Sequence, residues 1–201
     1  MSQEHYFSAE PKGPSQTREV SFTVAERQFT VQASSGTFSA TRLDPGTSVL
    51  LSYSEEFPDE GNVLDLGCGW GPIALSIAAI KPQTKVWALD INQRSLDLVR
   101  SNAKRLGLEN VTPSIAVDIP EDVEFSAIWS NPPIRIGKAA LHELLTTWLP
   151  RLEIGGRAML VVQKQLGSDS LLKWIQEEFP NFTATRFSTD KGYRILEVTK
   201  D

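Results

Sequence analysis

One cysteine, Cys68, stands in the 201 residues, so no intrachain disulfide can staple the fold, and a reducing compartment suits the chain. No His or Cys cluster accompanies it, which leaves neither a metal-ligand set nor an obvious thiol nucleophile; Cys68 is expected to pack as a small residue. Nowhere do 18 apolar residues run together, so no transmembrane helix is expected. The first ten residues are polar and acidic, without the apolar stretch of a signal peptide, and a cytoplasmic location is the expectation. Positive charge is also scarce. The net charge of −5 argues against a free-standing nucleic-acid binder held by charge alone. That charge is uneven: residues 1–60 hold 4 basic against 9 acidic residues, whereas residues 131–201 hold 10 against 8. The last third is therefore the part suited to an anionic partner.

What is present is a chain long enough for one well-buried domain. From residue 62 onward, apolar strands alternate with helical patterns, which predicts a mostly parallel sheet covered on both faces. Strands are expected at 62–66, 85–90, 111–117, 127–130, 157–162, 182–188 and 193–199. Helices are expected at 72–80, 95–106, 138–149 and about 169–179. Gly155-Gly156 reads as the turn into the fifth strand. The last two strands have no helix between them and should close one edge as an antiparallel hairpin. Before residue 61, Val20, Phe22 and Val24 alternate, and Phe29 and Val31 follow a polar turn; this predicts a small hairpin. The expected division is an N-terminal extension over 1–60 packed on a main domain over 61–201.

The chemistry gathers at the carboxyl ends of the parallel strands. Asp65-Leu66-Gly67-Cys68-Gly69-Trp70-Gly71 joins the first parallel strand to its helix, and its glycines permit tight turning and close approach of a ligand. A dinucleotide loop wants glycine or alanine where Pro72 stands, so the pattern departs from that fold. Asp90, at the end of the next strand, can accept hydrogen bonds from two ribose hydroxyls; Ile91 follows it. Asp118, expected to end the third strand, adds an acceptor for an adenine amino group. Read as structure alone, Asp90 would be a helix cap and Asp118 a turn residue.

These residues resemble class I S-adenosylmethionine-dependent methyltransferases over about residues 62–201. The resemblance implies a Rossmann-like seven-stranded sheet with an antiparallel C-terminal hairpin. It also implies a donor site at Asp65, Gly67, Cys68, Gly69, Gly71, Asp90, Ile91, Asp118 and Asn131.

Ser130-Asn131-Pro132-Pro133 follows the fourth strand at the same rim, and two prolines stiffen that corner. It resembles the signature of enzymes that methylate exocyclic or amide nitrogens. Such a nitrogen is a poor nucleophile because its lone pair is delocalised. The Asn131 side-chain oxygen and the Pro132 carbonyl can each accept one amino hydrogen and turn the lone pair toward the methyl, so catalysis comes from positioning. Asn131, Pro132 and Pro133 are thus the expected catalytic corner. Many enzymes with this signature carry Tyr or Phe next, to stack on a base. Here Ile134 stands, and Phe38 is the candidate replacement, with Tyr6 or Phe7 behind it.

The whole chain further resembles the small-domain methyltransferases related to bacterial 16S ribosomal RNA guanine-N2 enzymes. The carriers are His5-Tyr-Phe-Ser8, Gly36-Thr-Phe-Ser39, Asp44-Pro-Gly-Thr47, Asn131-Pro-Pro-Ile-Arg-Ile-Gly-Lys138 and Lys191-Gly-Tyr-Arg194. The resemblance implies a guanine amino group in structured RNA, most simply of the small ribosomal subunit, and no membrane partner. Arg135, Lys138, Lys164, Lys191 and Arg194 are candidates for phosphate contacts. Larger members add a second N-terminal domain, so their target nucleotide does not carry over. Protein glutamine-N5 and adenine-N6 methylation pose the same chemical problem and stay open, as does a non-catalytic donor-binding module.

Overall fold

In the computed structural model, residues 17–39 and 41–201 are described. Two strands, β1 (Thr17–Val24) and β2 (Arg27–Ser34), pair antiparallel as a separate sheet. Ala25 and Glu26 both take positive φ at their turn, as a two-residue hairpin requires. The expected hairpin is present, with a tighter turn than the polar stretch suggested.

A short helix, α1 (Pro45–Leu51), then leads to the main sheet. It alternates β3 (Glu60–Leu66), α2 (Pro72–Ile80), β4 (Gln83–Leu89), α3 (Gln93–Leu106) and β5 (Val111–Ser114). A second series follows: β6 (Phe125–Ser130), α4 (Lys138–Trp148), β7 (Leu152–Gln163), α5 (Ser168–Glu178), β8 (Phe182–Asp190) and β9 (Tyr193–Lys200). The seven strands lie in the order β5-β4-β3-β6-β7-β9-β8. All pairings are parallel except those of β9 with β7 and with β8. The antiparallel C-terminal hairpin therefore sits at the edge, as the helix-free connection requires. The chain winds outward from β3 in one direction and from β6 in the other, so a crevice opens between their carboxyl ends.

Strand alternation divides the core between the two faces. Val63, Val86, Ala88, Ala127, Trp129, Met159, Val161 and Ile195 face α1, α2, α3 and the hairpin. Leu64, Leu66, Leu89, Ile128, Leu160 and Leu196 face α4 and α5. The hairpin shares the first of these cores. Phe22 stacks on Phe29 at 5.0 Å and meets Trp70 edge-on at 5.8 Å.

The free edge of β2 meets a side chain in place of a third strand. The buried Asn102 of α3 accepts from the Gln32 amide at 2.8 Å and donates to the Gln32 carbonyl at 2.8 Å and to the Trp70 carbonyl at 3.4 Å. Asn102→Leu leaves those partners desolvated and unpaired. We expect a loss of about 2–3 kcal/mol in chemical denaturation; an unchanged midpoint and slope would show that water replaces the carboxamide.

Three sequence expectations need correction. The third strand stops at Ser114, and Ala116–Asp118 forms a 3-10 turn, so Asp118 stands exposed four residues past the strand. Gly155 and Gly156 do not precede their strand but lie within β7. There the register against β6 jumps from Phe125–Leu152 to Ala127–Arg157, and a Cβ on Gly156 would lie 2.9 Å from two carbonyl oxygens. The glycines make a bulge. Helix α1, finally, was not anticipated at all.

Candidate active site

The crevice is lined by Phe38, Ser39, Asp44, Thr47, Gly67, Cys68, Gly69, Trp70, Pro72, Ile73 and Asn131. Its floor is the turn between β3 and α2. Gly67, Gly69 and Gly71 adopt φ of 79°, 55° and 92°, a left-handed region that other residues rarely enter. The loop packs closely all round. A Cβ on Gly71 would lie 2.9 Å from Val99 Cγ2, one on Gly69 3.7 Å from Phe38 Cβ, and one on Gly67 3.8 Å from Pro133 Cδ. The proline corner and Phe38 thus both border the glycine floor.

The amides of this loop are spent internally. Gly67 and Cys68 both donate to the Leu89 carbonyl at 2.9 Å, Gly71 donates to Cys68 at 2.9 Å, and Gly69 donates to Asp90 Oδ2 at 2.9 Å. A loop that binds a pyrophosphate keeps such groups free and carries no carboxylates beneath them. Here two lie beneath. Asp65 is fully buried; its Oδ2 accepts from the Ala74 amide at 2.8 Å, and its Oδ1 has no hydrogen-bond partner among the described residues. Burial pushes the Asp65 carboxyl up to about 8, against the Ala74 bond, and the neighbouring Asp90 adds to the rise. Burial also raises Asp90, against the amides of Asn92, Gly69 and Ile91. Such a floor offers Asp90 as an acceptor for ligand hydroxyls, while the loop amides named above are already engaged and not free for a phosphate. Asp90 Oδ1 accepts from Asn92 at 2.8 Å, so backbone amides hold both carboxyl oxygens in place.

Cys68 is buried, and its thiol is pushed up first by burial and then by the charges of Asp90 and Asp65. It is no nucleophile, and among the described residues no group of His, Cys, Asp or Glu is arranged for a metal. Ile91 is 60% exposed just past Asp90.

At the corner, Ser130 Oγ donates to the Leu66 carbonyl at 2.6 Å and pins the end of β6 to the end of β3. Asn131 Nδ2 donates to Asp44 Oδ1 at 2.7 Å and to Thr47 Oγ1 at 3.0 Å. Asn131 Oδ1 has no hydrogen-bond partner among the described residues. Pro133 has φ −74° and ψ 68°, an inverse γ-turn in which the Ile134 amide donates to the Pro132 carbonyl at 2.8 Å. One lone pair of that carbonyl is therefore occupied and one remains.

Ile134 is half-buried against the α4–α5 core, so it is no open platform. Phe38 is 40% exposed in the crevice wall. Lys138, Lys164 and Lys191 are exposed. Arg194 is not available to phosphates. It is buried, ion-paired with Asp169 and bonded to Ser168 Oγ at 3.2 Å, so it anchors α5 to β9. His5, Tyr6, Phe7 and Ser8 and the side chain of Arg135 lie outside the described residues.

Residues 28–197 match the family model described as methyltransferase small domain. The chain belongs to the methyltransferase small-domain family. It is 32% identical over 200 residues to the uncharacterized protein YbxB of Bacillus subtilis, covering 98% of each chain. It is 34% identical over 151 residues to ribosomal RNA small subunit methyltransferase C of Haemophilus influenzae, covering 72% of this chain and 45% of that one. The chain thus spans just under half the length of that relative.

Among solved structures, the fold matches the Thermus thermophilus 16S rRNA N2 G1207 methyltransferase, a complex with S-adenosylmethionine and guanosine, with a TM-score of 0.79 at 24% identity. That match covers 94% of this chain and 52% of the other. The Thermus thermophilus enzyme TrmN matches with a TM-score of 0.61 at 28% identity over 77% of this chain and 48% of its own. The expected seven-stranded, mostly parallel sheet with an antiparallel end is the one observed, and S-adenosylmethionine is the cofactor of a small-domain methyltransferase.

The glycine loop, Phe38 and Asn131, all expected from sequence, border one crevice, and Asp44, Thr47 and Ile73, which carried no expected role, line it too.

Proposed function

We propose that this small-domain methyltransferase methylates the exocyclic N2 amino group of a guanine in small-subunit ribosomal RNA, in the cytoplasm. The observation that carries an N-methyltransferase reading is the Asn131 side chain. Its nitrogen is fixed by Asp44 and Thr47, which leaves its oxygen as the acceptor at a corner in van der Waals range of the glycine floor.

Bound S-adenosylmethionine supplies an electrophilic methyl group on a sulfonium. Gly67, Cys68 and Gly69 shape its seat, Asp90 offers lone pairs to its ribose hydroxyls, Ile91 covers the adenine, and the exposed Asp118 is the acceptor for the adenine amino group. Asn131 Oδ1 and the free lone pair of the Pro132 carbonyl each accept one amino hydrogen of the target. Held in this way, the nitrogen would turn its lone pair toward the methyl. In an in-line displacement the N–C bond would form as the C–S bond breaks; the neutral thioether would be the leaving group and one amino proton would pass to solvent, without a covalent enzyme intermediate. Phe38 borders the same floor, partly exposed, and is suited to stack on the target base. Exposed Lys138, Lys164 and Lys191, with Arg135, lie on the basic C-terminal third and suit RNA phosphates. Support for the RNA target comes from the ribosomal RNA enzymes among the relatives.

The test is incubation with tritiated S-adenosylmethionine and small ribosomal subunits, tRNA and total protein from cells lacking the gene. Label at N2 of a small-subunit guanine is the expected result. Label in protein alone would replace the RNA reading with glutamine-N5 methylation, and label nowhere would favour a non-catalytic module.

A further inference from the structure

We propose that Asp44 and Thr47 are a positioning pair that sets the orientation and acceptor strength of the Asn131 amide; this rests on the N-methyltransferase reading above. A terminal carboxamide has nearly equivalent orientations related by a flip that exchanges oxygen and nitrogen. At this corner the two are opposites. With oxygen toward the target the side chain accepts an amino hydrogen; with nitrogen toward it, two donors face each other and the target is repelled. Asn131 by itself does not decide between them.

Asp44 decides. Asp44 Oδ1 already accepts from the Thr47 amide, and the atom 2.7 Å from it is the Asn131 amide nitrogen, which donates to the same oxygen. Thr47 Oγ1 takes the second proton of the same nitrogen at 3.0 Å. With both N–H groups engaged, Oδ1 is the remaining polar atom of the side chain. Donation through both N–H groups also shifts electron density onto that oxygen and strengthens it as an acceptor.

The pair is itself rigidly held. Asp44 Oδ1 accepts from the Thr47 amide at 3.0 Å, which makes Asp44 the N-cap of α1 and fixes the spacing of the two acceptors. Pro45 at the first helical position restricts Asp44 to its extended backbone, φ −61° and ψ 138°. On the far side Tyr193 presses so closely on Gly46 that a Cβ there would lie 2.9 Å from the ring. In this proposal both residues act through Asn131.

The experiment compares Asp44→Ala, Asp44→Asn and Thr47→Val in the full chain, measuring kcat, KM for the RNA, S-adenosylmethionine Kd by calorimetry, and thermal midpoint. Asp44→Ala is expected to lower kcat on the order of 10–100-fold while both binding constants stay within about threefold. Asp44→Asn keeps both an acceptor oxygen and the N-cap and should recover most of that loss; the variant that separates positioning from a merely stabilising cap is Thr47→Val, which leaves the cap bond intact. Thr47→Val should lower kcat about fivefold by releasing one proton of the amide.

Unchanged kcat in Asp44→Ala overturns the proposal. So does a loss mirrored in the donor Kd, which would place Asp44 in the donor seat. If Asp44→Ala does not fold, Asp44→Asn and Thr47→Val decide: a fall in kcat for Thr47→Val with Asp44→Asn near wild type supports the pair, and wild-type kcat for Thr47→Val refutes it. A wild-type chain inactive on every nitrogen substrate would instead sink the function proposed above.

Discussion

Asn131→Ala is expected to lower kcat on the order of 10²–10³-fold, with S-adenosylmethionine Kd changed by no more than about twofold. The magnitude is that of removing one pre-aimed hydrogen-bonding partner of a transition state. The asymmetry between kcat and Kd follows from the geometry. The loop bonds run from Gly67, Cys68 and Gly69 to Leu89 and Asp90, and none passes through Asn131. Donor affinity should therefore survive the truncation, while the target nitrogen loses the partner that frees its lone pair. Single-turnover rates together with calorimetry separate the two effects. A variant that turns over normally would remove Asn131 from the mechanism, and one that loses the donor would make it part of the seat.

The second large effect concerns Asp65. Its folded-state pKa of about 8 lies above the ordinary value of 3.8. The folded protein then retains a proton that the unfolded chain releases between those values. The stability linked to this group is full below about pH 4 and is lost as the pH rises toward 8. Within that window each pH unit costs up to about 1.4 kcal/mol.

Urea denaturation of the donor-free protein should therefore show a stability about 2–3 kcal/mol lower at pH 7.5 than at pH 5.5. Asp65→Asn, with no proton to lose, should flatten most of that slope; burial shifts Asp90 in the same direction. Parallel pH profiles for the two proteins would mean that the buried carboxyl is ionised and neutralised by a partner. A saturating cationic donor should also shallow the wild-type slope, because a positive charge near Asp65 favours its ionised form.

Local pattern carried much of this structure. Pro72 at a first helical position and the apolar run behind it marked α2 at the observed bounds, 72–80, and the missing helix before the last strand pointed to an antiparallel edge. The loop and the proline corner were legible because glycine and proline declare backbone geometry by themselves.

The rest depended on contacts distant in sequence. Helix α1 has seven residues, too few for a periodic stripe, and its one clear signal was Asp44 followed by Pro45. Gly155 and Gly156 make a bulge only because β6 lies alongside, and the same two residues in isolation read as a turn. The partners of Asn131 lie 87 and 84 residues earlier in the chain, where no spacing rule reaches. Arg194 looked like a surface cation because its partner Asp169 belongs to another element.

The contacts of Trp70 have a consequence for how the chain can be divided. Its ring rests against Phe22, its indole nitrogen donates to the Ser39 carbonyl at 3.3 Å, and beside it Asn92 Nδ2 donates to the Gly36 carbonyl at 2.9 Å. The segment ahead of β3 is therefore scaffolding for the glycine turn and not an appendage to it. An excised piece beginning at residue 61 would retain every motif of the donor loop, yet it would lack one wall of the cleft and leave an indole bare to water. Chain order separates the two parts; folding joins them.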